Sequence, residues 1–151
     1  MSESGASGLK IAIITSSFNE FITKRLHSAA VETLIAGGVG ADDITSVWVP
    51  GCFEIPLALA EIADKGFDAV VCLGAVIRGE TSHFDFVAGE AARGIAKISV
   101  KKRLPVGFGV ITAETTDQAV ERAGGKRGNK GREAALAAVE MARVVGEIRA
   151  K

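Results

Sequence analysis

The sequence predicts an α/β protein, a three-layer sandwich in which a four-stranded parallel sheet is covered by helices on both faces. Short, mostly uncharged apolar runs alternate along the chain with longer segments whose apolar residues recur at helical spacing. This alternation is typical of parallel sheets, because parallel strands are joined by crossover connections that are usually helical. Residues 1–8 are polar and rich in Ser and Gly, so we predict a flexible N-terminal segment followed by a single domain at residues 9–151.

Each element is assigned from its own pattern. The predicted strands are Leu9–Thr15, Asp42–Val49, Phe67–Ile77 and Pro105–Thr112. The predicted helices are Phe21–Gly37, Ile55–Lys65, Thr81–Lys102, Thr116–Ala123 and Arg132–Lys151. Pro56 in the first turn of the second helix and Gly66 after its last turn are the usual residues at those positions. Gly107 and Gly109 weaken the fourth strand and indicate that another part of the molecule approaches its backbone closely.

Composition excludes several classes of function. The 18 basic and 18 acidic side chains give a formal net charge of zero, which argues against a nucleic-acid binder held by bulk positive charge. Cys52 and Cys72 form no CxxC motif and have no neighbouring histidine, so we expect neither a disulfide scaffold nor a metal site. No apolar stretch is long enough to span a bilayer or to serve as a signal peptide, and we therefore expect a cytosolic protein without a membrane partner.

The residues that follow the strands are unusual. They are Phe18 and Asn19, then Cys52, Phe53 and Glu54, then Arg78 to His83, then Thr112 to Thr115. The carboxyl ends of parallel strands meet at one edge of the sheet, where such folds bind ligands. Phe18 and Phe53 could stack on a flat heterocycle or pack back into the core, and Glu54 could bind hydroxyl groups or simply complement a helix dipole. Their shared location favours a binding site.

The stretch Gly74–Phe86 is a strand-to-helix turn. Thr81 or Ser82 is a suitable N-cap for the helix that follows, and the backbone N–H groups at a helix N-terminus bind anions. His83 is predicted on the first helical turn, where it is either a proton-transfer group or a solvated side chain. The stretch therefore predicts an anion-binding turn with a candidate acid–base residue beside it.

A basic segment precedes the last helix. Lys126 and Arg127 are interpreted as a solvated face, whereas the glycines around Lys130 fix an unusual backbone and favour an aimed side chain. Arg122 could bind a phosphate with both ends of its guanidinium group. We find no P-loop, no dinucleotide fingerprint and no nucleophile elbow in the sequence.

Taken together, these motifs resemble the lumazine synthase family from about Leu9 to the C-terminus. The resemblance is carried by Ser17-Phe18-Asn19, Val49 to Pro56, Gly74 to Phe86, Gly107 to Thr112, Glu121 to Gly131 and Glu133. It implies a flavodoxin-like winding and the penultimate step of riboflavin synthesis. In that step 5-amino-6-(D-ribitylamino)uracil condenses with 3,4-dihydroxy-2-butanone 4-phosphate to give 6,7-dimethyl-8-ribityllumazine, and no metal or organic cofactor takes part.

The resemblance also implies roles for individual residues. His83 would transfer protons, Phe18 would stack on the pyrimidine, and Arg122 would face the phosphate. The remaining substrate-binding residues that it implies are Asn19, Cys52, Phe53, Glu54, Ala75, Val76, Ile77, Glu80, Thr81, Phe108, Lys130 and Glu133. Family members are homopentamers whose sites lie between adjacent subunits, with Phe18 to His83 from one chain and Phe108 to Glu133 from the next. The short Gly124–Gly131 loop resembles members that build a sixty-subunit shell, so either assembly is compatible with the sequence.

Two other functions fit part of the pattern. A flavin or lumazine carrier would use Phe18 and Glu54 but would need neither His83 nor Arg122 for a ligand without phosphate. An encapsulating or scaffolding assembly is compatible with a neutral, alanine-rich surface. Only an activity assay separates both alternatives from the enzyme.

Overall fold

A four-stranded parallel sheet forms the centre of the protein. The computed structural model describes residues 5–80, 83–125 and 128–151, with only the backbone of Glu80. The strands are β1 (Ile11–Ser16), β2 (Ile44–Val49), β3 (Ala69–Ile77) and β4 (Val106–Ala113), in the order β2-β1-β3-β4. This is the flavodoxin-like order, and the predicted three-layer α/β sandwich is confirmed.

Helices cover both faces of the sheet. They are α1 (Glu20–Ala36), α2 (Ile55–Ile62), α3 (Phe84–Lys102), α4 (Thr116–Glu121) and α5 (Lys130–Ala150). One apolar cluster joins the sheet to α1, α4 and α5, and a second joins its other face to α2 and α3. No helix within the described part of the chain has an apolar stretch that could cross a bilayer.

Most element boundaries lie one to three residues from the sequence prediction, and two of the differences, at α2 and α5, have a clear physical cause. The second helix ends at Ile62 rather than Lys65, because the Lys65 N–H turns back to the Ile62 carbonyl in an i→i+3 bond. The last helix begins at Lys130 rather than Arg132. Asn129 caps it, accepting hydrogen bonds from the N–H groups of Gly131 and Arg132 at 2.7 and 3.1 Å.

The segment between α4 and α5 contains a small hairpin that the sequence did not predict. β5 (Ala123–Gly125) pairs antiparallel with β6 (Gly128–Asn129). The predicted short helix therefore ends at Glu121 instead of Ala123. The predicted solvated face of Lys126 and Arg127 lies outside the described residues.

The two glycines of β4 let α5 lie directly on the sheet, and this confirms the close approach that their pattern predicted. A Cβ atom at Gly107 would overlap the Ala134 carbonyl, and one at Gly109 would crowd Leu73 and Ala134. Any larger residue would push α5 away from β4. The close contact fixes the start of α5, and with it Lys130, beside the end of the sheet.

Contact with the core begins before Leu9. Ala6 is fully buried, and its N–H donates to the carbonyl of Gly37 at 3.1 Å. Residues 5–8 form a turn across the end of α1. This turn attaches part of the polar N-terminal segment to the domain.

Thr15 offers a test of the core beneath α1. Among the described residues, its Oγ1 is the buried side-chain oxygen without a hydrogen-bond partner. A buried hydroxyl without a partner costs about 1–3 kcal/mol, and valine has almost the same shape. We expect Thr15→Val to raise the free energy of unfolding by about 1 kcal/mol in urea denaturation at fixed protein concentration.

Thr23→Val is the matched control, because Thr23 is equally buried but its hydroxyl donates to the Glu20 carbonyl. It should lose stability. Equal losses for the two variants would contradict the interpretation of Thr15.

Candidate active site

The loops after β1, β2 and β3 surround one pocket at the carboxyl edge of the sheet. Its volume is about 190 Å³. The lining residues are Phe18, Gly51, Cys52, Phe53, Glu54, Ala75, Val76, Ile77 and Val87. Parallel strands bring these loops together because all of their carboxyl ends point the same way. Gly51 and Val87 were not predicted as site residues, although Gly51 lies inside the Val49–Pro56 stretch and Val87 directly follows the Gly74–Phe86 stretch.

The aromatic rings at the pocket are exposed rather than buried in the core. Phe18 is 50% exposed and Phe53 51%, so the alternative in which both pack inward is wrong. Phe53 stacks on Phe86 of α3, with ring centroids 6.1 Å apart and planes 20° from parallel. Sequence analysis missed Phe86, which lies at the end of the Gly74–Phe86 stretch. Exposed flat rings beside a pocket suit a flat, partly apolar ligand.

One edge of β3 faces this pocket. β1 pairs with β3 only as far as Thr15 and Leu73, whereas β3 continues to Ile77 and pairs there with β4 alone. The backbone of residues 74–77 therefore has no neighbouring strand on the β1 side, and residues 75–77 of this edge line the pocket. Backbone N–H and C=O groups in this position can hydrogen-bond a heterocycle as a further strand would.

Asn19 fixes the end of that edge. Its backbone is in the left-handed region, with φ 61°, which asparagine tolerates better than most residues. Its side-chain amide donates to the carbonyl of Ala75 at 3.3 Å. Asn19 thus ties the first turn of α1 to β3, so the predicted binding residue holds the pocket wall through its side chain.

Cys52 lies below the pocket as a neutral thiol. It is buried and hydrogen-bonds with the Ser16 side chain and the Ala75 backbone. Burial leaves the thiolate poorly solvated and raises the pKa of Cys52 to about 11. The two hydrogen bonds lower the pKa, but their effect is smaller than that of burial. The thiol is therefore not a nucleophile at neutral pH. Gly74 leaves the space that it occupies, since a Cβ there would overlap Sγ.

The turn after β3 differs from its prediction. Residues Arg78–Glu80 form a 3₁₀ turn, and α3 begins at Phe84 with His83 as its N-cap residue. The predicted helix start at Thr81 and the placement of His83 within the first turn are therefore wrong. The predicted caps Thr81 and Ser82, the predicted contact of Thr81 and the side chain of Glu80 lie outside the described residues. His83 is exposed to solvent at the helix N-terminus, where a proton-transfer group can reach a ligand.

The other predicted residues lie on β4 and on the segment from α4 to α5, away from the pocket. Phe108 is 47% exposed on β4, which is one of the two edge strands of the sheet, and lines a separate depression against α3. Arg122 Nη1 donates to the Thr112 carbonyl at 2.7 Å, and the Lys130 N–H donates to the Arg122 carbonyl at 2.8 Å. Lys130 Nζ lies 3.3 Å from Glu133 Oε1.

We call Phe108, Arg122, Lys130 and Glu133 the β4-side residues. None of them lines the pocket described above. Within one chain, the structure therefore brings Phe18, Cys52–Glu54 and Ala75–Ile77 together and leaves the β4-side residues apart.

Comparison with protein families agrees with this geometry. The family model described as 6,7-dimethyl-8-ribityllumazine synthase matches residues 8–146, almost the whole chain. The chain belongs to the lumazine synthase family. Lumazine synthases are transferases of riboflavin biosynthesis, and this chain is accordingly a transferase that acts on small molecules and assembles into oligomers. Seven of the residues that line the pocket, Phe18, Cys52–Glu54 and Ala75–Ile77, are among those that the resemblance implies.

Proposed function

We propose that the protein condenses 5-amino-6-(D-ribitylamino)uracil with 3,4-dihydroxy-2-butanone 4-phosphate to give 6,7-dimethyl-8-ribityllumazine, phosphate and water. The observation that carries the proposal is the pocket itself, with an exposed phenylalanine beside the open edge of β3. A pyrimidinedione is flat and has ring N–H and C=O groups, which match a stacking surface and a strand edge. Phe18 then stacks on the ring, and residues 52–54 and 75–77 hold the ring and the ribityl chain.

The proposed chemistry needs no cofactor. The 5-amino group attacks the ketone carbonyl and one water leaves as the C=N bond forms; phosphate is then eliminated, and the ribitylamino nitrogen closes the ring onto the resulting carbonyl with loss of a second water. The protein therefore has to position two substrates and move protons. His83 is the proposed proton-transfer residue. The N-terminal turn of α3, with Glu80 and Thr81, meets the phosphate, because the N-terminus of a helix favours negative charge.

Absorbance spectroscopy tests the reaction directly. The purified protein is mixed with both substrates, and formation of the lumazine is followed against the same mixture without protein. We expect a rate far above the spontaneous one. A rate equal to the background, with the pyrimidine still bound, would favour a carrier over the enzyme.

We propose further that each site is shared between adjacent chains of a pentamer. The β4-side residues lie apart from the pocket in one chain, and Phe108 exposes its ring beside the small side chains of Ala92 and Ala96. A neighbouring chain would bring its Phe108, Arg122, Lys130 and Glu133 to this pocket. Sedimentation separates a pentamer from a sixty-subunit shell of the same pentamers.

Arg122 is the proposed phosphate ligand from the second chain. We expect Arg122→Ala to raise the KM for the phosphorylated butanone about 10- to 100-fold, because a charge-assisted hydrogen bond contributes about 1.5–3 kcal/mol. Affinity for the pyrimidine should stay within about 2-fold. Arg93→Ala, which removes an exposed arginine paired with Glu90, is the control for lost charge. Equal weakening of both substrates would mean that Arg122 only supports Thr112.

Mixed assemblies test the sharing itself. Chains carrying His83→Ala and chains carrying Arg122→Ala are unfolded and refolded together, and native mass spectrometry confirms that rings contain both. If the two residues of one site come from different chains, roughly one site in four is intact in a random ring. Activity should then exceed the mean of the two homogeneous variants. Mixed rings that show only that mean would contradict a shared site.

A further inference from the structure

Arg78 is the first residue after β3, and its side chain joins three elements. Its Nε donates to Oε2 of Glu114 at 2.8 Å, and Nη2 lies 3.4 Å from Oδ1 of Asp85. Its guanidinium carbon lies 4.5 Å from the ring centroid of Phe84. Glu114 directly follows β4, whereas Phe84 and Asp85 open α3. One side chain therefore connects the ends of β3 and β4 to the start of α3.

The charge of this arginine is already compensated. Two carboxylates lie against the guanidinium group and an aromatic ring lies along it, so both the edge and the face of this planar group have a partner. Arg122, by contrast, donates to the uncharged carbonyl of Thr112. An arginine that already has two carboxylates is a poor ligand for a third anion, although it lies beside the turn that the proposed function assigns to phosphate.

We propose that Arg78 is a positioning residue, which holds the start of α3 and the adjacent His83 against the ends of β3 and β4 without contacting the phosphate. This inference rests on the proposed function for its kinetic consequences. Under the proposed function, the N-terminus of α3 binds the phosphate and His83 transfers protons. Both groups therefore have to be placed correctly relative to the two substrates. A misplacement of about 1 Å is enough to cost up to about 100-fold in rate.

Kinetics of four variants test the proposal. We expect Arg78→Ala to raise the KM for the phosphorylated butanone and to lower kcat, each about 10-fold, while the Kd of the pyrimidine stays unchanged. Arg78→Lys should recover only part of the loss, because an ammonium group cannot reproduce the fork and the stacking together. Arg143→Ala is the matched control: Arg143 is 50% exposed against 48% for Arg78, and it also pairs with two carboxylates, Glu140 and Glu147. It should leave both constants unchanged.

Glu114→Gln separates positioning from direct binding by the sign of its effect. If Arg78 positions α3, loss of the carboxylate loosens its attachment to β4, and the KM for the phosphorylated substrate rises. If Arg78 binds the anion itself, loss of a competing carboxylate frees its charge, and inorganic phosphate binds more tightly. Tighter phosphate binding by Glu114→Gln would overturn the proposal.

Hydrogen exchange of the ligand-free protein gives a readout that does not depend on the reaction. We expect faster exchange at the start of α3, residues 84–88, in Arg78→Ala and not in Arg143→Ala, with equal melting temperatures for the two variants.

If the wild type forms no lumazine, the proposed function fails while the exchange result still tests Arg78. If the wild type is active but Arg78→Ala changes neither exchange nor kinetics, the positioning role is wrong.

Discussion

Replacing Gly131 by alanine is expected to lower the free energy of unfolding by about 3 kcal/mol, at the upper end of the usual cost of overpacking. Gly131 is buried in the first turn of α5, and a Cβ there would overlap the backbone carbonyl of Leu26 in α1. A backbone group cannot rotate away as a flexible side chain can, so the two helices would have to separate. The gain in helix propensity, about 1 kcal/mol for glycine to alanine, is too small to offset this.

Gly146→Ala is the matched control on the same helix. Within the described part of the chain, no atom beyond the adjacent backbone of α5 lies within 4 Å of the Cβ position at Gly146, so the substitution should raise stability by about 0.5–1 kcal/mol. Urea denaturation at one protein concentration compares the two variants. Gly131→Ala should also lose activity in its folded fraction, since Lys130 and Glu133 flank the displaced residue. Two equal gains in stability would show that α1 and α5 are not packed this closely.

Replacing His83 by alanine is expected to lower kcat about 100-fold with little change in either KM. General acid–base catalysis contributes about 10²- to 10⁴-fold, and the low end applies because water can carry protons to an amine at this exposed position. Positioning of the two substrates should survive the loss of the imidazole group. Steady-state kinetics over a range of pH measures the change.

His27 is the only other histidine of the chain and provides the control. It lies on α1, where Nε2 is 2.8 Å from the Ser46 hydroxyl and its ring lies beside Trp48, and burial lowers its pKa. His27→Ala should keep the wild-type kcat in the folded protein. An unchanged kcat in His83→Ala would remove His83 from the mechanism.

The strands and the pocket could be predicted because their signals are local. Each buried strand is a short apolar run, and parallel strands necessarily bring their carboxyl ends together, so Phe18, Phe53 and residues 75–77 could be placed at one edge. The start of α3 could not, because Thr and Ser are good caps wherever they occur. In the structure, the Arg78–Glu80 turn comes before α3, which starts at Phe84. Arg78 contacts Glu114, which lies 36 positions later in the chain, and such a long-range contact cannot be predicted from local sequence.

Long-range packing explains the other differences. The alternation of glycines in β4 indicated a close approach but could not name α5 as the element that approaches. The cap of α5 was present as Asn129, yet the neighbouring glycines suggested a break instead of a helix start. The separation of Phe108 from the pocket follows from the position of β4 at the edge of the sheet, which strand patterns do not reveal.

The unequal lengths of β1 and β3 have a consequence for how this protein tolerates mutation. Because β1 stops early, the main-chain groups of residues 75–77 have no strand partner on the β1 side of β3, and every amino acid except proline carries both an N–H and a C=O group. Substitutions of side chains in this strand can change its packing, but they leave the order of main-chain hydrogen-bond donors and acceptors unchanged. Under the proposed function, recognition of the heterocycle therefore depends on the main chain of β3. Few single substitutions in this strand can abolish it.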